Sequence, residues 1–107
     1  MKEEIIYLNR ILKIIDDLES YVWQDEFEDF LLNDMKIDAI MMKLQLLWET
    51  IKKIWKYKEI PYKEIIWLRD WISHNYFWID LEIIWETLNE ELPILRGKII
   101  LIIESKK

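Results

Sequence analysis

A short segment in the second half of the chain holds residues that can perform acid–base chemistry on a phosphodiester. His74 is the only histidine in the sequence, and its ordinary pKa of about 6.5 lets an imidazole both take and give a proton near neutrality. Arg69 and Tyr76 flank it in the pattern Arg-x-x-x-x-His-x-Tyr. A guanidinium stays charged and offers two parallel donors to phosphate oxygens. The pattern therefore supplies a phosphate ligand beside a proton-transfer group.

Cleavage of RNA by its own 2′-hydroxyl needs such groups. A base must take the hydroxyl proton, an acid must protonate the leaving oxygen, and positive charge must stabilise the crowded phosphorus. Arg69 and His74 meet these needs without a metal ion. Because one histidine cannot easily act as acid and base together, a two-fold dimer that joins two copies of His74 would complete the site. The structural alternative is that His74 caps or packs a helix end and that Arg69 pairs with Asp70 or Glu64.

The spacing of these residues on a helix partly supports a shared site. Arg69 and Tyr76 are seven residues apart and lie on one helix face, whereas His74 is about 140° away from Arg69. A helix that ends near Ser73 would allow the imidazole to swing back toward the guanidinium. Asp70, Ser73 and Asn75 are possible supporting residues.

The charge of the chain is unevenly distributed, although the total is −6. Residues 36–69 carry eight basic and four acidic residues, a local net charge of +4. Such a local basic surface can attract a phosphate backbone even on an acidic protein. The possible RNA backbone contacts are Lys52, Lys53, Lys56 and Lys63. The alternative is an ordinary solvated helix face.

The composition and motifs argue against several other kinds of site and location. The sequence has no cysteine, which removes disulfides, zinc–thiolate sites and cysteine nucleophiles. No metal-ligand or cofactor motif is visible, so we expect neither. The first residues have no signal-peptide pattern and no apolar run approaches the roughly 20 residues of a membrane span. We therefore expect a cytoplasmic protein with no membrane partner.

Apolar residues at helical spacing, with one glycine and two prolines, predict an all-α fold. We expect an up-and-down bundle of four to five helices in a single domain, residues 1–107. Predicted caps are an Asp25–Glu28 capping box for a short second helix, and Asn33 or Asp34 for a long third helix that reaches Trp55. The later signals are Pro61 before a helix from about Tyr62 to Ser73, Asp80 as the next cap, and Pro93 as the restart or kink of the last segment.

The segment from Ile60 to Pro93 resembles the HepT-like family of minimal HEPN proteins. The family's Ile-Pro entry matches Ile60-Pro61, and its Arg-x-x-x-x-His-x-Tyr motif matches Arg69, His74 and Tyr76. Its "DLEIVWET" stretch appears as DLEIIWET from Asp80 to Thr87, and its final "LP" appears as Leu92-Pro93. The first two-thirds of the chain fit the family more loosely.

This resemblance implies a dimerising HEPN-like helical bundle in which Arg69 and His74 of both protomers line one cleft. The implied activity is that of a metal-independent endoribonuclease toxin. The implied partner is a minimal nucleotidyltransferase antitoxin that transfers AMP from ATP to Tyr76. An AMP group would add charge and bulk beside the cleft, where it would repel RNA and compete for Arg69.

Four tryptophans stand where this family commonly has glycine: Trp23, Trp48, Trp67 and Trp78. Either this branch packs its bundle and dimer face around aromatic side chains, or the gene encodes glycine with UGA codons that are read here as tryptophan. Tryptophans beside the motif would change the catalytic geometry or stack on RNA bases. Core or interface packing is the more common role of a large aromatic residue.

Two further functions compete with the ribonuclease. The chain can be a catalytically weak module that docks the nucleotidyltransferase and accepts AMP on Tyr76. It can also be a structural helical dimer in which Arg69 and His74 form a pair. The intact motif favours the ribonuclease, whereas the tryptophans and the acidic total keep the docking module open.

Overall fold

A computed structural model describes residues 2–54, 57–74 and 80–107, and these residues form helices without a strand. The helices are α1 (Lys2–Tyr21), α2 (Phe27–Leu31), α3 (Asp34–Ile51), α4 (Tyr62–His74), α5 (Leu81–Glu86) and α6 (Leu92–Ser105). A 3₁₀ turn at Lys52–Ile54 extends α3, and a π-helical turn at Thr87–Glu91 joins α5 to α6 in one rod. The prediction of an all-α bundle is confirmed.

Helix α1 lies at the centre of the bundle and packs against both α3 and α6. Its inward residues follow the helical spacing, and Leu8, Ile11, Ile15 and Leu18 have no exposed surface. Burial of each such side chain is worth about 1.5–3 kcal/mol relative to exposure. The same apolar cluster extends through α3 and ends at Ile102 of α6.

Two of the three predicted N-terminal caps are confirmed and one is shifted. The Asn33 side chain accepts a hydrogen bond from the Lys36 amide at 3.0 Å, and the Asp80 side chain accepts from the Glu82 amide at 2.9 Å. The predicted Asp25–Glu28 box is wrong by one residue. The amide of Glu26 instead donates to Asp29 Oδ2 at 2.8 Å. This register leaves Phe30 buried and directs it onto Trp85, with 5.2 Å between the ring centroids.

The prediction that Pro93 restarts the chain into a last helical segment is confirmed. Pro93 lies in the first turn of α6, directly after the π-helical turn. A proline lacks the amide proton and crowds the carbonyl four residues earlier. The π turn widens the backbone there, because the Leu92 amide donates to the Thr87 carbonyl five residues back. The helical backbone therefore runs from α5 through the π turn into α6.

The start of α4 is anchored by Tyr62. Its hydroxyl donates to the Ile54 carbonyl and accepts a hydrogen bond from the Tyr57 amide at 3.1 Å. Burial raises the pKa of this tyrosine, so the hydroxyl remains a donor at neutral pH. Ile60 and Ile72 are buried and tie the two ends of α4 to the core. The main packing partner of α4 is α3, and this leaves the opposite side of α4 open.

The predicted third helix ends earlier than expected. The α-helical part stops at Ile51, and the 3₁₀ turn carries the chain to Ile54. Trp55 lies outside the described residues. The predicted span from about Tyr62 to Ser73 is confirmed to within one residue, since α4 runs to His74.

Asp17 of α1 forms ion pairs that make stability depend on pH. Lys13 Nζ lies 2.6 Å from Asp17 Oδ1, and Lys43 Nζ of α3 lies 2.9 Å from Asp17 Oδ2. The hydrogen bonds from Lys13 and then Lys43 lower the pKa of this carboxyl below its ordinary value. The stabilisation is therefore fully present above pH about 4 and is lost as the pH falls through the lowered pKa.

We expect Asp17→Asn to lower the melting temperature at pH 7. Near pH 2 the variant and the wild type should have the same melting temperature. Thermal denaturation followed by circular dichroism at both pH values measures this difference. Asp38→Asn is the control, because Asp38 is exposed and has no ion pair within the described part of the chain. A gap between Asp17→Asn and the wild type that persists at pH 2 would contradict the assignment.

Candidate active site

The motif arginine lies on the side of α4 that faces α3. The Arg69 side chain is 31% exposed, and its Nη2 lies 3.5 Å from Glu49 Oε1 near the end of α3. Its Nη1 lies 3.4 Å from Asp70 Oδ1 on its own helix. The Arg69 Nε is buried and has no hydrogen-bond partner among the described residues. The guanidinium is thus held loosely between two carboxylates, and its exposed part is accessible to a ligand.

Glu49 is the site residue that the sequence did not single out. It also contacts Lys52, with 3.5 Å between Lys52 Nζ and Glu49 Oε2. Of the two ion-pair partners expected for Arg69, Asp70 is observed, and Glu49 takes the place of Glu64. The only sequence signal was the Glu49–Lys52 spacing of three residues, which puts both side chains on one helical face. The contact to Arg69 depends on how α4 crosses α3 and is not visible in the sequence.

The remaining motif residues are described only in part. The backbones of Ser73 and His74 close the last turn of α4. Their side chains, together with Asn75 and Tyr76, lie outside the described residues. The expected approach of the imidazole to Arg69 therefore stays a prediction.

The three described candidate lysines do not form one continuous surface around Arg69. Lys52 and Lys53 lie on the 3₁₀ turn, and Lys52 is linked to Arg69 through Glu49. Lys63 precedes Arg69 by six residues, which rotates it about 240° around the helix. It lines a groove on the other side of α4. Lys56 lies outside the described residues.

That groove separates α4 from the α5–α6 rod. It has a volume of about 890 Å³. Trp48, Leu68 and Leu92 form part of its floor, and Trp67 and Ile94 stand at its sides. Trp67 is 61% exposed and Ile94 is also exposed. An apolar groove with exposed aromatic and aliphatic side chains is typical of a surface that binds another molecule.

The described tryptophans at the four unusual positions have different environments. Trp48 is only 3% exposed and belongs to the core, as expected for a large aromatic. Trp67 and Trp23 are 61% and 73% exposed, so core packing is wrong for these two, and interface packing, the other predicted role, stays a prediction. Trp78 lies outside the described residues.

The sequence predicted neither a membrane-spanning helix nor a metal site. No helix within these residues is long and apolar enough to cross a membrane. Across residues 2–54, 57–74 and 80–107, no group of three or more His, Cys, Asp or Glu side chains is placed to hold a metal ion.

A comparison with known protein families shows to which family this chain belongs. The family model described as "Ribonuclease HepT-like" matches residues 11–102, which include every described part of the Arg69 site. The chain belongs to the HepT-like ribonuclease family. No solved structure matches the chain.

Related proteins carry consistent names. A "Probable ribonuclease HepT" of Thermococcus cleftensis is 33% identical over 97 residues, covering 86% of this chain and 88% of the relative. A "Putative RNase" of Caldanaerobacter subterraneus subsp. tengcongensis is 32% identical over 112 residues, covering all of both chains.

A third relative is longer than this chain. The "Gamma-glutamylcyclotransferase and putative RNase" of Methanocaldococcus jannaschii is 33% identical over 109 residues, covering 97% of this chain. This HepT-like chain spans 49% of that relative's length.

Proposed function

We propose that this HepT-like chain is a metal-independent endoribonuclease toxin that acts on RNA in the cytoplasm as a homodimer. The observation that carries the proposal is the position of Arg69 in a family of ribonucleases. The Arg69 side chain is 31% exposed, and its terminal nitrogens lie 3.4–3.5 Å from Glu49 and Asp70 among the described residues. A phosphate offers several acceptor oxygens to the parallel donors of a guanidinium and can compete with carboxylates held at these distances.

In the proposed reaction, Arg69 binds the scissile phosphate and neutralises the charge that builds up on its oxygens. The His74 imidazole takes the proton of the 2′-hydroxyl, whose oxygen then attacks phosphorus. The P–O5′ bond breaks, and the protonated imidazole of the partner's His74 supplies the proton to the leaving oxygen. The products are a 2′,3′-cyclic phosphate and a free 5′-hydroxyl. Asp70 is in place to orient Arg69, and Ser73 and Asn75 stay candidates for orienting the imidazole.

The proposed antitoxin is a cognate minimal nucleotidyltransferase. It would transfer AMP from ATP to the hydroxyl of Tyr76 and release pyrophosphate. The added phosphate would compete with RNA for Arg69 and Lys52 by the same electrostatic rules as phosphorylation. Tyr76 follows α4 by two residues, so the modified side chain would lie close to the end of the helix that carries Arg69.

A second copy of the chain is the proposed occupant of the α4–α6 groove. The chemistry needs a second His74, and α4 carries the groove residues Trp67 and Leu68 and ends at His74, seven residues or about two helical turns after Trp67. Burial of Trp67 and Ile94 against a partner would remove the largest exposed apolar side chains of this groove from water. A dimer formed here would therefore bring together two α4 helices, each of which ends at His74.

We expect Trp67→Lys to convert the dimer to a monomer and to reduce RNA cleavage by at least about tenfold. A lysine in place of a central interface aromatic removes an anchor that is typically worth about 2 kcal/mol or more. Analytical ultracentrifugation and cleavage rates in EDTA measure the two effects. The isolated fold should survive, because Trp67 is 61% exposed.

Trp23→Lys is the matched control for this experiment. Trp23 is 73% exposed, precedes the short α2 and does not line the groove. It should remain a dimer and cleave RNA at the wild-type rate. A Trp67→Lys protein that is still dimeric and fully active would exclude this groove as the interface.

A further inference from the structure

Among the described residues, the ion pairs around Arg69 join equal numbers of positive and negative charges. Arg69 and Lys52 contribute two positive charges, and Glu49 and Asp70 contribute two negative ones. Glu49 takes part in two contacts: one of its oxygens faces Arg69 across the α3–α4 packing, and the other faces Lys52 three residues along its own helical stretch. A negatively charged phosphate that approaches Arg69 therefore meets a carboxylate that already occupies this position.

The lengths of the contacts indicate that this carboxylate is displaceable. Both Glu49 contacts measure 3.5 Å, whereas charge-assisted N–H···O hydrogen bonds are ordinarily about 2.7–2.9 Å. Ion pairs elsewhere in the same protein reach that range. Arg96 Nε lies 2.8 Å from Asp16 Oδ1, and Lys36 Nζ lies 2.6 Å from Asp25 Oδ2. A glutamate built to hold Arg69 firmly would be expected to make contacts of that shorter kind.

We propose that Glu49 is a positioning residue that acts as an internal counter-ion of the phosphate site: it orients Arg69 in the free protein and must release it when RNA binds. This inference rests on the proposed ribonuclease function and adds a determinant of RNA affinity. Glu49 keeps the guanidinium pointed toward the α3 side and shares its charge with Lys52. When a phosphate takes over Arg69, the carboxylate can stay on Lys52. Because the phosphate must displace Glu49 from Arg69, RNA binds more weakly than it would without this carboxylate.

The test compares wild type with Glu49→Gln, which keeps a hydrogen-bond acceptor for Arg69 and removes the charge. Binding is measured by fluorescence anisotropy with a 2′-O-methyl oligonucleotide, which cannot be cleaved because its nucleophile is blocked. We expect tighter binding by Glu49→Gln. The slope of log K against log salt should steepen by about 0.7, the value for one additional single-strand phosphate contact. Between about 50 and 200 mM salt this adds roughly a threefold loss of affinity.

Kinetics on cleavable RNA separate this role from a structural one. Glu49→Gln should lower KM and leave kcat within about twofold, since Arg69 keeps its place once the phosphate is bound. The melting temperature should stay near that of the wild type, because a half-exposed ion pair contributes little to stability. Unchanged or weaker binding by a folded Glu49→Gln protein would overturn the inference.

Asp16→Asn is the matched control. Asp16 and Glu49 are both 48% exposed and both contact an arginine, but Asp16 pairs with Arg96 and lies on α1. Its replacement should leave the salt slope unchanged. An equal gain in RNA affinity from Asp16→Asn would show a general charge effect and overturn the inference.

If wild type binds but does not cleave, and Glu49→Gln binds more tightly, the ribonuclease proposal fails while the role of Glu49 stands. Failure of both proteins to bind RNA would overturn both.

Discussion

Replacement of Arg69 by alanine is expected to slow RNA cleavage by about 10²–10³-fold, the range seen when one donor to a developing negative charge is removed. Replacement of His74 by alanine is expected to cost about 10²–10⁴-fold, the contribution of general acid–base catalysis. Steady-state cleavage of a fluorescent RNA in EDTA measures both. Arg69 is 31% exposed, and its ion pairs with the described residues are long, so its removal should leave the fold intact.

Arg69→Lys distinguishes a phosphate ligand from a general positive charge. A lysine keeps the charge but loses the planar pair of parallel donors, so we expect it to recover only part of the lost rate. The melting temperatures of all three variants serve as the folding control. Full activity in either alanine variant, or a loss of activity that only follows unfolding, would remove Arg69 or His74 from the proposed mechanism.

Replacement of Trp48 by glycine is expected to destabilise the protein by about 4–6 kcal/mol. Removal of a buried tryptophan costs about 3–5 kcal/mol as a cavity, and glycine within a helix costs about 1 kcal/mol more. Trp48 is 3% exposed and lies inside α3. Because small domains are stable by about 5–15 kcal/mol in total, this variant should be close to unfolding. Urea denaturation followed by circular dichroism measures the difference.

Trp67→Gly is the internal control, because Trp67 also lies inside a helix but is 61% exposed. Its free energy of unfolding should fall by only about 1 kcal/mol, the helix-propensity cost of glycine. Both variants are compared as monomers. The comparison bears on the two explanations of the unusual tryptophans. A Trp48→Gly protein as stable as the wild type would contradict a bundle packed around Trp48. It would favour the hypothesis that the gene encodes glycine with UGA codons, and a UGA codon at this position would support that hypothesis.

The helices could be predicted from sequence because their signals are local. The spacing of Leu8, Leu18 and their neighbours fixes the buried side of α1, and Asn33 and Asp80 cap helices with their own side chains. The features that were missed depend on more than local signals. Asp25 and Glu26 are both able to begin α2, and the observed register accompanies the contact of Phe30 with Trp85, 55 residues away in sequence. The π turn before Pro93 was not predicted, because no single residue type marks such a turn.

The candidate site was predictable in its residue types and less so in its surroundings. The spacing of Arg69 and His74 marks the motif, and the family match covers both positions. Glu49 is 20 residues from Arg69 in sequence, so their contact arises only from the packing of α4 on α3. The exposure of Trp67 likewise follows from the open side of α4. Chain-distant contacts of this kind require tertiary geometry that helical periodicity does not contain.

The most direct test of the ribonuclease proposal is cleavage of RNA by the purified wild-type dimer in excess EDTA, with the product ends identified by mass spectrometry. The mechanism predicts cutting that persists in EDTA and yields 2′,3′-cyclic phosphate and 5′-hydroxyl ends, because the 2′-oxygen is the nucleophile. Absence of cleavage by a folded, dimeric protein with unmodified Tyr76 would contradict it. Products with 5′-phosphate ends would contradict it equally, since they require water as the attacking group.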